Sequence, residues 1–366
     1  MSELQELYNE LGFDKYYETF GQKDLIDDQK GKSILFDHMY KKYLTMLKED
    51  SFDESSEEAV KRKKAFNLLL LKLGKYFLTT KQVFEDREEL IKENDIDESI
   101  YVEDDKKPKV FIANHSFKDD ILGSVTATDT QSYVMFASLP VFFNSINGLL
   151  LQKNGVVLAN RKIKNSKATM VDKSVEVIKN GASLVVFPEG VWNKSPNELM
   201  LDLWSGCYRI AKEANVQIVP IVHYISDPTY TSSKKGNELH TLIDKPIDIS
   251  KFSEQEALDE LKEKMDTWQY LMMEKYGQIT RSELLGEYQT AHDYWVDVMA
   301  KKRKTAGWYD KEAETTSDYR SRDKVKPLDV YRTFENVKIT KDNACSVIDI
   351  KRKLLELKKE DYQHLY

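Results

Sequence analysis

Cysteine is scarce in this chain: Cys207 and Cys345 are the two among 366 residues. They lie too far apart in sequence for a disulfide framework and offer no zinc-ligand spacing, so a reducing, cytoplasmic setting is the simpler expectation. The 8 Pro and 14 Gly are too few for a collagen-like or Pro-rich low-complexity chain. Long apolar runs are missing as well. The best candidate, the uncharged stretch from Thr130 to Gln152, contains Pro140, Asn144, Ser145, Asn147 and Gly148. A membrane span needs about 20 predominantly apolar residues, so the stretch is rejected as one. The opening residues, MSELQELYNELGFDKYYETF, are acidic where an export signal would be basic and then apolar, and none is expected. Positive charge is also in deficit. A formal net charge of -7 gives no whole-molecule attraction to nucleic acid or anionic lipid, so no nucleic-acid partner is expected and any membrane contact must be local.

What is present suffices for a sizeable core: 41% of residues are apolar, in a length that suggests two or three units. Residues 1–92 have a helical pattern, with Leu4, Leu7, Tyr8 and Leu11 at helical spacing. Within them, residues 61–78 place Phe66, Leu69, Leu70, Leu73 and Phe77 on one face and Lys61, Lys64, Lys72 and Lys75 opposite. Residues 93–107 are charged and poor in apolar side chains, as expected of a linker. Residues 108–250 alternate short apolar runs (Val110 to Ala113, Tyr133 to Ala137, Val156 to Ala159, Leu184 to Phe187, Val216 to Val222) with helical patterns at Lys167 to Lys179 and Leu203 to Ala214. Such alternation predicts an α/β fold, a mixed sheet flanked by helices. Residues 251–366 turn helical again, opened by a capping box at Ser253 and Glu256, with further helices expected at Leu284 to Arg303 and Ala344 to Tyr362. No internal repeat is visible.

Several catalytic signatures are absent. Gly31-Lys32-Ser33 lacks the leading Gly of a phosphate loop, and there is no G-x-S-x-G, G-x-G-x-x-G or H-E-x-x-H. Of the six histidines, five (His38, His223, His240, His292, His364) have no local partner implying more than a surface or structural role. His115 follows an apolar run and opens HSFKDD, with Asp119 and Asp120 entering the next turn. A carboxylate beside an imidazole fixes its tautomer by accepting the Nδ1 proton, leaving Nε2 free to take a proton from a hydroxyl.

Three further segments follow in order: NGVVLANRK (154–162), VVFPEGVWN (185–193) and IVPIVH (218–223). With the N-H-x-x-x-x-D of Asn114 to Asp120, this ordered set resembles the glycerolipid acyltransferase family, which includes glycerol-3-phosphate and lysophosphatidic acid acyltransferases. The resemblance covers roughly Lys107 to Ile249, about two-fifths of the chain. It implies the acyltransferase fold with helical extensions, His115 as general base, Asp120 as its orienting carboxylate, and Arg161, Glu189 and Gly190 as acceptor-binding residues. It further implies acyl-CoA or acyl-carrier protein as acyl donor, no permanently bound cofactor or metal, and a lysophospholipid or other hydroxyl acceptor. The family spacing favours Asp120 over Asp119, a choice that a strand-to-helix corner alone leaves open.

The third motif departs from the family's common E-G-T-R-S, having Val191-Trp192-Asn193 after Gly190. The Arg is lost, leaving Lys194 as a substitute point charge, so acyl transfer is better supported than a phosphate-bearing acceptor. One alternative is therefore transfer to a non-phosphorylated sugar or polyol hydroxyl, and another is a non-catalytic lipid-binding protein. The apolar stretch Val134 to Leu151 is the candidate wall for an acyl chain, each buried methylene contributing about 0.8 kcal/mol. The basic amphipathic stretch 61–78 could seat the protein peripherally at the inner membrane face, with Phe66, Leu70, Leu73 and Phe77 inserted; packing on the acyltransferase domain is the competing expectation.

Overall fold

A computed structural model describes residues 54–76, 78, 80–92, 94, 96–115, 119–136, 146–158, 164–190, 193, 199–225, 238–277, 332, 334–341 and 343–363. The helical pattern near Leu4, the helix expected at Leu284 to Arg303, and the site candidates Arg161 and Lys194 lie outside them.

In chain order the elements are α1 (Glu57–Leu73), β1 (Lys81–Phe84), α2 (Arg87–Ile91), β2 (Val110–Ala113), α3 (Asp120–Ala127), β3 (Ser132–Phe136), α4 (Ile146–Asn154), β4 (Val156–Leu158), α5 (Lys164–Lys179), β5 (Ser183–Val186), α6 (Gly206–Ala214), β6 (Ile218–Tyr224), β7 (Glu238–Ile243), α7 (Glu254–Tyr276) and α8 (Ala344–Gln363). The strands form one sheet of order β1-β7-β6-β2-β5-β3-β4. β4, β3, β5, β2 and β6 run parallel, while β7 is antiparallel to β6 and parallel to β1. The mixed sheet flanked by helices is the expected class.

β2, β5 and β6 read as unbroken apolar runs because both faces of the sheet are covered. Val110, Ile112, Leu184 and Val186 pack with α5, α6 and α7. Phe111, Ala113 and Val185 pack with Leu70 of α1, Ile121 and Val125 of α3 and Leu151 of α4. At the start of α7 the Ser253 and Glu256 capping box is present in both directions.

Three expectations are corrected. The region 1–92, read as helical, contributes edge strand β1. Its sequence KQVF is too short and polar to signal a strand, and pairing with β7 supplies what propensity does not. β7 was likewise not expected. The segment read as a linker is tied down: Tyr101 bridges Ile247, the Val102 N–H donates to Pro246 O at 2.9 Å, and Ile96 is buried. Its charges are spent on partners rather than on a solvated tether, with Glu98 bonding Arg87 at 2.5 Å and Lys245 at 2.7 Å.

Helix α1 packs on the sheet, and not through the stripe that its sequence suggests. Ala59, Val60, Lys63, Asn67 and Leu70 face inward, and Leu68, Leu69, Leu73 and Tyr76 are exposed. Hydrogen bonds account for the difference. Asn67 Nδ2 donates to Ser132 O and to Asn154 Oδ1, both at 2.7 Å, and buried Lys63 pairs with Glu54 and Gln152 O. Burying an amide or ammonium is tolerable where every polar atom finds such partners.

Candidate active site

Because β2 through β6 are parallel, the segments that follow β2, β4 and β5 leave the sheet at the same edge, where loops of parallel sheets gather ligands and catalytic groups. Two motifs 74 residues apart are thus carried to one place: His115 just past β2, Glu189 and Gly190 just past β5.

His115 Nδ1 lies 2.8 Å from Asp120 Oδ2. The carboxylate is acceptor only, so Nδ1 carries the proton and Nε2 presents a lone pair. The Asp120 side chain is 0% exposed and that of His115 14%, which leaves the base reachable above a sealed partner. Asp120 is the first residue of α3, where the helix N-terminus favours a negative charge. Asp119, the neighbour in sequence, turns away: its Oδ2 accepts from the Thr80 N–H and hydroxyl, both at 2.9 Å, fastening the segment before β1 to α3. The ring of Phe187 flanks the imidazole, centroids 4.6 Å apart.

The main chain of His115 is gripped on both sides. Its N–H donates to Glu189 Oε1 at 2.8 Å, and its carbonyl accepts from the Asn193 N–H at 2.7 Å. Glu189 Oε2 accepts from the Leu201 N–H at 2.9 Å, and the residue is wholly buried. The resemblance implied acceptor binding for Glu189. In the structure its two oxygens each face a backbone amide, so it ties the loop after β5 to the loop after β2. Gly190 adopts φ +70°, and a Cβ there would meet Trp204 Cδ1 at 2.7 Å, so glycine is required on both counts. The Trp204 N–H donates to Pro188 O at 2.8 Å, and the residue stays 51% exposed beside this turn.

Asn114 continues the β2–β6 pairing one step beyond Ala113: its Nδ2 donates to His223 O at 2.8 Å, and its Oδ1 accepts from the His223 N–H at 2.7 Å. His223 itself is sealed between Ser124 Oγ at 2.8 Å and Thr241 Oγ1 at 3.0 Å, and burial pulls its pKa down to about 3, so the ring is neutral. A second imidazole–carboxylate pair joins His240 Nδ1 to Glu85 Oε1 at 2.8 Å, but Tyr276 stacks on the ring at 3.6 Å, and the Tyr276 hydroxyl and Lys275 also donate to Glu85. With side-chain exposures of 6% and 3%, that pair is sealed. Between the two pairs, accessibility singles out His115 and Asp120.

Sequence reasoning did not find Thr80, Trp204 or Asp266, the last of which caps the Met200 N–H at 2.7 Å. Thr80 and Trp204 carry no local signal. Asp266 stands about 100° round α7 from Met265, at about 3.6 residues per turn, on what periodicity reads as the solvent side.

Residues 83–224 match the family model described as Acyltransferase. Among curated proteins it is 30% identical over 162 residues to a Caenorhabditis elegans protein provisionally named a 1-acyl-sn-glycerol-3-phosphate acyltransferase, covering 43% of this chain and 59% of that one. It is 30% identical over 141 residues to the 1-acyl-sn-glycerol-3-phosphate acyltransferase of Saccharomyces cerevisiae, covering 36% and 43% of the two. To the human 1-acyl-sn-glycerol-3-phosphate acyltransferase beta it is 26% identical over 130 residues, covering 35% and 46%. The chain spans about half the length of these relatives. The crystal structure of the 1-acyl-sn-glycerophosphate acyltransferase of Thermotoga maritima aligns with 79% of this chain and all of that one, at 17% identity and a TM-score of 0.39.

Proposed function

We propose that this protein is an O-acyltransferase that moves a fatty acyl group from an acyl thioester, carried by acyl-CoA or acyl-carrier protein, to a hydroxyl of a lysophospholipid such as 1-acylglycerol 3-phosphate. The observation that carries the reading is the partly accessible His115 over the buried Asp120 at the C-terminal edge of the parallel strands. His115 Nε2 takes the proton of the acceptor hydroxyl as the oxygen attacks the thioester carbonyl. Asp120 stabilises the imidazolium that forms, as the buried carboxylate does in a catalytic triad. Collapse of the tetrahedral intermediate breaks the C–S bond, the imidazolium returns the proton to sulfur, and an ester and a free thiol leave. Arg161 and Lys194, which follow β4 and β5 in sequence, supply positive charge for an acceptor phosphate in this reading. Its support is the acceptor named for the relatives in yeast and human.

A second reading, transfer to a sugar or polyol hydroxyl, is favoured by the exposed Trp204 indole against Gly190, an aromatic face of the kind on which sugar rings stack. Mass spectrometry of products decides between them. Offered acyl-CoA and acyl-carrier protein with a mixed pool of lysophosphatidic acid, other lysophospholipids and polyols, the protein is expected to form phosphatidic acid. Acylated polyols alone would replace the first reading by the second, and no His115-dependent ester would remove both.

We further propose that the protein works at a membrane surface. Among the described residues no helix is long and apolar enough to cross one. Exposed Leu68, Leu69 and Leu73 on α1 and Tyr76 in the turn after it lie among exposed Lys61, Lys64, Lys72 and Lys75, a composition suited to shallow insertion among anionic headgroups. The inserting set differs from the one the sequence suggested, because Leu70 is spent on the core. Flotation with phosphatidylglycerol-containing vesicles should fall at least several-fold in Leu69→Asp/Leu73→Asp, and unchanged flotation would dismiss this surface.

A further inference from the structure

Two adjacent backbone amides between β5 and α6 are held by buried carboxylates from separate parts of the chain. The Leu201 N–H donates to Glu189 at 2.9 Å, and the Met200 N–H donates to Asp266 Oδ1 at 2.7 Å. Glu189 passes the connection on, because its other oxygen takes the His115 N–H. Asp266 belongs to α7, beyond the residues that match the family model. It is 0% exposed, and its Oδ2 accepts from Lys262 at 2.8 Å.

A helix that merely covered the sheet would have no use for a carboxylate at this point. Leu261, Met265, Trp268 and Met272 of α7 are already fully buried in the core. A buried carboxylate carries a desolvation cost of several kcal/mol by general experience, offset here by one ion pair and one amide. A side chain retained at such a cost, about 100° round the helix from Met265, is doing something for the loop it holds. The loop is the one that seats Glu189.

We propose that Asp266 is a positioning residue for the active site: by fixing the Met200 N–H it sets the 199–201 segment, through which Glu189 and the main chain of His115 are held over Asp120. Helix α7 thereby becomes part of the catalytic framework. This inference rests on the acyltransferase reading of the same site. A shift of a catalytic group by about 1 Å from a distant change can lower turnover by roughly 100-fold.

The test compares Asp266→Ala with Asp266→Asn in the full chain. The amide oxygen of Asn still accepts from Met200, whereas Ala cannot, so kcat is expected to fall roughly 10- to 100-fold in Asp266→Ala and to recover most of the way in Asp266→Asn, with KM for both substrates within about twofold. His115 is followed in parallel by imidazole NMR without substrate, and its titration curve should shift in Asp266→Ala and return in Asp266→Asn. Near-wild-type turnover and an unshifted His115 in Asp266→Ala would overturn the proposal, as would equal impairment in both variants. If no protein, wild type included, transfers acyl groups while the His115 curve still moves in Asp266→Ala alone, the positioning role stands and the acyltransferase reading falls.

Discussion

His115→Ala is expected to lower kcat/KM for acyl transfer by about 10²- to 10⁴-fold, the usual contribution of a positioned general base. That corresponds to roughly 3 to 5 kcal/mol of transition-state stabilisation. The acceptor hydroxyl must then shed its proton to water, which has no fixed orientation in the site. Asp120→Asn keeps the volume and the hydrogen-bond distance of 2.8 Å within reach but loses the charge that supports the imidazolium. An amide facing Nδ1 can also reverse the donor and acceptor roles, leaving the proton on Nε2 where the lone pair is needed. A fall of roughly 10² or more is therefore expected for this variant too. The effects of the two changes should not add, because Asp120 acts only through His115. Steady-state kinetics of the two single variants and the double variant check this. A double variant slower than His115→Ala by the full Asp120→Asn factor would mean that Asp120 contributes independently of the imidazole.

The largest effect on stability is expected at Asp244, immediately after β7. Its Oδ1 accepts from Arg87 Nε at 2.6 Å, and its Oδ2 accepts from the Tyr101 hydroxyl at 2.6 Å and Trp268 Nε1 at 2.7 Å. One carboxylate so joins α2, the 93–107 segment and α7, and Arg87 lies over the rings of Tyr101 and Trp268 at 4.7 and 5.1 Å. Arg87, Asp244 and Trp268 are all buried. Asp244→Ala strands the guanidinium and two further donors away from water, and breaking a buried pair on one side costs about 3 to 5 kcal/mol. Glu98 and Glu88 remain with the terminal nitrogens of Arg87, but both are partly or largely exposed. Asp244→Asn, which still offers one acceptor oxygen, should lose less. Equilibrium urea unfolding provides the measurement, and a loss under about 1 kcal/mol for Asp244→Ala would show that the cluster contributes little beyond its packing.

Most of the sheet was legible because its central strands are buried on both faces. VFIA, LVV and IVPIV are apolar at every position, and such runs stand out from the helical patterns between them. β1 and β7 escaped notice for the complementary reason. They lie toward one edge, carry polar residues such as Lys81, Gln82 and His240, and owe their conformation to their partners in the sheet. The same limit explains α1, whose apolar stripe put Leu69 and Leu73 on the face to be inserted or packed, whereas Lys63 and Asn67 turn inward because carbonyl and amide partners wait for them there.

At the site, His115, Asp120, Glu189 and Gly190 were found from motif order, and the structure brings all four to one edge of the sheet. Geometry adds what each of them touches. The strand-to-helix corner alone left Asp119 and Asp120 open while the family spacing favoured Asp120, and the turn into α3 sends Asp119 to Thr80 and Asp120 to His115. Glu189, to which the resemblance gave acceptor binding, hydrogen-bonds two backbone amides from separate loops.

The sequence by itself determined the α/β class, the acyltransferase resemblance and the residue types that can do the chemistry, because burial on two faces and proton-transfer capacity are properties of side chains in local order. Only the tertiary structure decided that Asp119 turns to Thr80, that Glu189 spans two loops, and that a helix some 80 residues downstream of Pro188 steadies the same loop through Asp266. Hydrogen bonds between distant segments depend on where the chain returns to, and no periodicity or spacing within a segment encodes that meeting.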